Sequence, residues 1–443
     1  MQISLENTGT LERKLTVTLP ASRLEDEIKS RLQKLGREVR LNGFRPGKVP
    51  MSVISKRFGA QVRDEVFEEL VRDSFGEALR KEKLRPAMSP RITPVSDAGQ
   101  DQLAFTAEFE VMPELEAIDV SALSIARTEA EVQDVDIDNM IDTLRQQRKS
   151  WNRVERPAAE ADLVLFEHSA QAGDVRFPVE GIERAGTVIG SAALPTEFEA
   201  ALVGMSEGQD KTFDIDFPET WPQPELTGKN ATVTVTVTQV KEGALPEVDT
   251  DFIESFGIEN GDVDQFRRDI RANLDRELGS ALGARLKDEV IKQLLAAHSD
   301  LEVPASLVEQ ETQALHRREQ ERRQQQSAEA GAPVPSVDSF RQQAIDSIRA
   351  MILISELARQ NSIQLDDNRL RDRLLAIATT YEQPEELIRM YTSNESMMQR
   401  LQQSVLEQQV VEWVAEKAPG PISKRSFDEL MRPGTQAEAQ ADA

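Results

Sequence analysis

The chain has 443 residues, a formal net charge of -25 and no cysteine. That length implies two to four domains, the charge argues against wrapping nucleic acid over the whole surface, and the lack of thiols excludes a disulfide framework and thiolate metal sites. With 39% hydrophobic, 5% aromatic and 30% charged residues, the composition suits long solvated helices better than one thick core.

Residues 1–113 alternate strand and helix patterns and predict a small α+β domain. Leu15, Val17 and Leu19 recur at period two as a strand that Pro20 ends. Ser22 and Glu25 are spaced as a capping box ahead of a helical run of Leu24, Ile28, Leu32, Leu35 and Val39. Pro50 is placed to open a second helix at its first position, and Val62, Val66, Leu70 and Leu79 mark a third. Leu103, Phe105, Ala107, Phe109 and Val111 alternate as a strand. Residues 114–150 read as a connector with a polar helix carrying Ile137, Ile141 and Leu144.

A β-rich module is expected over 151–243. There Leu163 and Leu165 alternate with Val164 and Phe166, which predicts a strand buried on both faces. Phe213, Ile215 and Phe217 alternate, and Ala231 to Val240 has a valine face and a threonine face. Residues 244–430 read as all-helical: Pro304 opens one long pattern, Met351 to Leu357 is the most apolar stretch, and Gly331 to Pro335 breaks the run. Residues 431–443 lack apolar content and are expected to be disordered. The first residues have no basic n-region or apolar h-region, and no apolar run nears the roughly 18 residues of a bilayer span. A soluble protein that stays in the cytosol, with no membrane partner, is the expectation.

The most informative stretch is Gly43-Phe44-Arg45-Pro46-Gly47-Lys48-Val49-Pro50, whose glycines and prolines force a tight loop. From Arg40 to Arg63 the charged residues are Arg40, Arg45, Lys48, Lys56, Arg57 and Arg63, with no acid among them. In so acidic a chain that inversion asks for a negatively charged partner; the plainer reading is a solvated turn between helices. The loop is not a nucleotide site, because Gly43 and Gly47 are separated by three residues and Lys48 is followed by Val49 rather than a hydroxyl. His168, His298 and His316 are too scattered for a metal, and the many carboxylates read as solvated faces, so no metal or cofactor is expected.

The loop resembles the ribosome-docking loop of the bacterial trigger factor family, a Gly-Phe-Arg-x-Gly-Lys-x-Pro pattern at a helical hairpin tip, and matches each fixed position. The run Leu245-Pro-Glu-Val-Asp-Thr-Asp-Phe-Ile-Glu-Ser-Phe-Gly257 is similar to the entry of that family's helical C-terminal domain. The resemblance implies an α+β multidomain protein: a small α+β ribosome-binding domain, an FKBP-like β-rich prolyl isomerase domain, and an all-α C-terminal domain with helical arms that hold clients. Gly43, Phe44, Arg45, Gly47 and Lys48 would then dock on the large ribosomal subunit near the exit tunnel, touching protein and rRNA. Nascent and unfolded polypeptides would be the clients, held without ATP, with methionines such as Met351, Met397 and Met398 available for loose contacts. For Met351 the core of the bundle is the preferred place. The resemblance leaves open a homodimer of the free protein.

It further implies an isomerase pocket of Glu167, His168, Phe177, Leu194, Phe198 and Trp221. Departures from the family pattern would weaken its activity: His168 for an aromatic, Ala170 for a glycine, Thr196-Glu197 for a single glycine, Trp221 for a tyrosine. The plainer reading makes these aromatics the core of a small barrel-like sheet. Two rival functions remain at this level, a free prolyl isomerase with accessory domains and a non-catalytic scaffold for one folded partner.

Overall fold

The structure, a computed structural model, describes residues 1–39, 41, 44, 49–95, 102–325, 335–379, 381 and 383–431. The chain forms two compact units, one from Met1–Thr128 with Gly283–Ser423, the other from Glu129–Leu282 with the chain from Lys424 onward. Helices and sheets are mixed, as the α+β multidomain expectation requires.

In the first unit, β1 (Gln2–Asn7) and β2 (Glu12–Pro20) precede two helices, α1 (Ala21–Glu38) and α2 (Met51–Glu82), and then β3 (Arg91–Val95) and β4 (Gln102–Glu110). The strands form an antiparallel sheet in the order β1-β2-β4-β3, with Leu15 opposite Ala107 and Val17 opposite Phe105. Period-two alternation puts Leu15, Val17, Leu19, Phe105, Ala107 and Phe109 in one core with the two helices. Phe75 meets Phe109 edge-on at 5.3 Å.

Two expectations fail here. α1 begins at Ala21 behind Pro20, with no side-chain cap, so Ser22 and Glu25 make no capping box. The second and third helices are one helix of 32 residues, and Pro50 is its N-cap rather than its first residue. Its apolar stripe of Ile54, Val62, Val66 and Leu70 keeps one face toward the core across Gly59, so nothing breaks it. The helix stops at Lys83, in the left-handed region at φ 54°. Arg31 pairs with Glu69 at 3.3 Å and Gly36 lies beside Ile54, so α1 and α2 run antiparallel as a hairpin.

After β5 (Arg127–Glu129), the second unit holds α3 (Asp134–Gln147), whose capping box joins Gln133 and Asp136. Next come β6 (Ser150–Val154), β7 (Leu163–Ala172), β8 (Val175–Phe177), β9 (Glu183–Val188), α4 (Thr196–Leu202), β10 (Asp210–Asp216) and β11 (Asn230–Ala244). They make a six-stranded antiparallel sheet in which β11 lies between β10 and β7, β6 also pairs with β11, and β8 and β9 pair with β7. Val233, Val235, Val237 and Val240 are buried along the valine face of β11. On β7 only one face is fully buried, through Val164 and Phe166; Leu163 and Leu165 are half-buried.

Helices follow: α5 (Thr250–Glu254), α6 (Val263–Ala297), α7 (Ala305–Gln325), α8 (Arg341–Gln360), α9 (Asp367–Ala378), α10 (Pro384–Ser393) and α11 (Glu395–Lys417). A short strand, β12 (Ile422–Lys424), interrupts the all-helical pattern before α12 (Phe427–Met431). Val290, Leu294, Leu353, Leu357, Val410 and Val414 form the core of the helical part of the first unit, with Trp413 packed against it. Ile118, Val120, Leu123 and Ile125, read from sequence as connector, are buried in that same core. The break at 331–334 and the tail from 432 lie outside the described residues.

Candidate functional site

The β-rich module encloses a cavity of about 40 Å³, lined by Phe166, His168, Phe177, Ala185, Leu194, Phe198, Phe217, Trp221, Gln223 and Leu226. A water needs roughly 10–15 Å³ on this measure, so the space suits a small ring. Five of the six pocket residues expected from sequence meet here: His168, Phe177, Leu194, Phe198 and Trp221. Glu167 does not, since alternation along β7 turns it to the other face, where it accepts a hydrogen bond from Arg184 Nε at 2.8 Å. Phe166, two residues before His168, was legible by the same period but was not singled out. Phe217 ends the Phe213, Ile215, Phe217 alternation, whereas Ala185, Gln223 and Leu226 carried no sequence signal, because turns and a neighbouring strand deliver them.

The aromatic walls touch one another: Phe198 stands 5.4 Å from Phe166 and 5.4 Å from Phe213, and His168 is 5.6 Å from Phe166. Glu199, with 6% exposure, fixes the turn that delivers Leu194 and Phe198. It accepts the Gly190 N–H at 2.9 Å and the Leu194 N–H at 3.3 Å, and the Thr187 and Ser191 hydroxyls also donate to it. Burial pushes its pKa up, but the N–H donors of Leu194, Gly190 and Ala192 and the Thr187 hydroxyl outweigh that and hold it below its usual value.

On the opposite wall, the Thr227 hydroxyl lies 2.9 Å from the Trp221 carbonyl and 2.8 Å from the Gln223 carbonyl, bracing that loop. His168 Nδ1, Trp221 Nε1 and Gln223 Oε1 are buried without a hydrogen-bond partner among the described residues. Burial lowers the His168 pKa, with the Glu183 carboxylate opposing, so the ring enters the cavity neutral at pH 7. The cavity can therefore take an apolar ring while offering polar atoms to the groups beside it. Among the described residues no cluster of side chains is placed to hold a metal.

At the α1–α2 hairpin tip, Phe44 is 40% exposed. Gly43, Arg45, Gly47 and Lys48 lie outside the described residues, as does Arg40. Lys56, Arg57 and Arg63 are exposed on α2, and none has an ion-pair partner among the described residues. A third feature is a cleft of about 1060 Å³ in the helical part of the first unit. Its apolar wall includes Met112, Ile291, Leu295, Met351, Ile354 and Leu406, edged by glutamines such as Gln343, Gln399 and Gln403. Met351 thus faces the cleft rather than the bundle core; Met397 and Met398 are half-buried and do not line it.

The family description "Bacterial trigger factor protein (TF)" matches residues 1–144, and "Bacterial trigger factor protein (TF) C-terminus" matches residues 262–416. Over 433 residues the chain is 45% identical to the trigger factor of Xanthomonas axonopodis pv. citri (strain 306), covering 98% of this chain and 100% of that protein. The chain belongs to the trigger factor family. The trigger factor of Stenotrophomonas maltophilia (strain K279a) is likewise 45% identical over 435 residues, with the same coverage of both chains. A solved trigger factor chaperone covers 94% of this chain and 99% of its own at 17% identity and a TM-score of 0.45, too low to weigh. Trigger factors are chaperones, and that function is this chain's. The hairpin tip lies in the first matched range and the cleft chiefly in the second; the pocket falls between them, where the full-length relatives align. Among the described residues no helix is long and apolar enough to cross a membrane.

Proposed function

We propose that this trigger factor docks on the large ribosomal subunit beside the peptide exit through its hairpin tip, shelters nascent and unfolded chains on its helical part, and isomerises X–Pro bonds in the β-rich module. On this reading residues 1–113 are the docking domain, 151–243 the isomerase, 244–430 the client-holding domain, and the protein works in the cytoplasm.

The observation that carries the docking is an exposed phenyl ring at the tip of an acid-free cationic stretch on a molecule of net charge -25. Guanidinium and ammonium groups of Arg45 and Lys48 suit rRNA phosphate and acidic ribosomal side chains, while Phe44 anchors in an apolar niche. Lys56, Arg57 and Arg63 add longer-range attraction that salt screens. The cleft supports client holding: an apolar floor with an unbranched thioether at Met351 adapts to many side chains, and the glutamine rim hydrogen-bonds to stray backbone. With no nucleotide loop in the sequence, occupancy follows binding equilibrium alone.

Turning an X–Pro amide crosses a barrier of roughly 20 kcal/mol, and the twisted state loses its conjugation and part of its dipole. A largely apolar cavity of ring size favours that less polar state without a nucleophile or a metal. His168, Phe177, Leu194, Phe198 and Trp221 serve here as walls and ring partners; Glu167, on the outer face, does not.

A photo-crosslinking side chain at position 44 tests the docking. Capture of a large-subunit component beside the exit is expected, and an unreacted protein on translating ribosomes would overturn it. The isomerase half is read by exchange NMR on a short proline peptide with the full chain.

A further inference from the structure

Trp221 and Gln223 sit two residues apart on one braced loop and line the same small cavity, and each buries a polar atom without a hydrogen-bond partner among the described residues. One is a donor, the indole Nε1–H, and the other an acceptor, the amide Oε1. Leaving such groups unpaired under an apolar surface is costly, so their placement asks for a ligand that carries one acceptor and one donor. Their backbone cannot drift, because the Thr227 hydroxyl reaches both carbonyls and the Trp221 N–H bonds the Pro218 carbonyl at 3.0 Å.

A peptide unit has that pair of groups, a carbonyl oxygen and an N–H. A proline ring seated in the cavity brings its own carbonyl close, but its nitrogen carries no hydrogen. The nearest N–H to the ring therefore belongs to the residue after the proline, two bonds from the prolyl Cα. We propose that Gln223 is a specificity-determining residue of the pocket, its side-chain carbonyl accepting the N–H of the residue that follows the bound proline. This rests on the prolyl-peptide reading of the cavity given above and adds what the cavity selects. The site then favours X–Pro–Xaa segments whose Xaa has a free N–H and rejects X–Pro–Pro, in which the second proline lacks it. A site built around a hydrogen bond discriminates strongly against a ligand that cannot make it, because its own buried group is left bare.

The test uses the full chain and two peptides of one sequence. The first is a tetrapeptide with an internal proline. The second is its ester analogue, with oxygen in place of the N–H that follows the proline. Binding is read from the Trp221 indole Nε1–H resonance, assigned with Trp221→Phe, and isomerisation from exchange NMR. The wild type should bind the amide about tenfold more tightly than the ester. Gln223→Met, similar in length but with no carbonyl, should bind both alike, and Gln223→Glu, which keeps an acceptor, should restore the preference. Equal binding by the wild type, a preference that survives Gln223→Met, or no indole response to either peptide would overturn the role of Gln223. Absence of catalysed exchange with the amide preference intact would remove the isomerase reading and leave Gln223 as a selector of bound peptide.

Discussion

Glu110, at the end of β4, caps helix α7 at Ser306 from 196 positions away in the chain. Its carboxylate accepts the N–H of Ala305 at 2.9 Å and of Ser306 at 2.8 Å, and the Ser306 hydroxyl as well. The first helical N–H groups have no partner within their own helix, and a carboxylate there also meets the positive end of the helix dipole. A cap ordinarily lies next to its helix in sequence; this one ties the N-terminal sheet to the helical part within the first unit. Glu110→Ala should lower unfolding stability by about 1–2 kcal/mol, read in a urea titration, and Glu110→Gln by less. An unchanged midpoint with Glu110→Ala would show that the cap is idle.

Glu356 on α8 is 5% exposed and joins Arg359 through two hydrogen bonds, of 2.9 and 2.5 Å, and Arg85 at 3.5 Å. Arg359 holds its pKa down to about 2 against the opposing effect of burial, with Gln360 and Arg85 adding to the lowering. A carboxylate depressed on folding lends stability above its ordinary value of 4.5, and that stability drains away as pH falls from 4.5 toward 2. Glu356→Gln should therefore cost stability at pH 7 and flatten the acid limb of a stability-against-pH curve. Parallel curves for the two proteins below pH 4.5 would contradict this linkage.

Glu199 gives a prediction for the pocket itself. With the carboxylate replaced in Glu199→Ala, the N–H groups of Gly190 and Leu194 lose their acceptor, at a cost of about 1–3 kcal/mol. Leu194 should then move from the wall, so proline-peptide affinity should fall together with stability. A variant that loses stability but binds peptide as before would detach Glu199 from pocket geometry.

His168 departs from an apolar aromatic wall, and acid should expose the difference. Burial lowers its pKa below 6.5 while the facing Glu183 opposes, so the folded protein resists protonation that the unfolded chain accepts. Its neutral form costs nothing above pH 6.5, and stability is lost as pH falls below that value. His168→Phe should remove this component, making the variant relatively more stable near pH 5.5 than at pH 7.5, by comparative thermal unfolding at those two roughly chosen values.

The fold was legible where burial is one-sided. Leu15, Val17, Leu19 and Phe105 announced a sheet with one covered face, and the valines of β11 did the same. Helix ends were less legible, because a cap depends on which backbone groups remain unpaired after packing; Ser22 and Glu25 had the spacing of a box but sit inside a helix that starts behind Pro20. The burial of Ile118, Val120, Leu123 and Ile125 could not be read locally, since their partners Leu294, Leu353 and Val414 lie far along the chain. Of the pocket, the aromatic wall came from the family resemblance and not from periodicity. Gln223 and Glu199 were not legible, because a buried polar residue has no periodic signature and declares itself only through the groups it faces.

Docking by the hairpin tip is tested most directly by co-sedimentation of the full chain with washed ribosomes. Wild type is compared with the triple variant Phe44→Ala, Arg45→Ala, Lys48→Ala across a range of salt. The wild type should pellet with ribosomes and release steeply as salt rises, and the variant should stay in the supernatant at every salt while remaining folded. A variant that pellets as fully as the wild type would contradict docking through this tip.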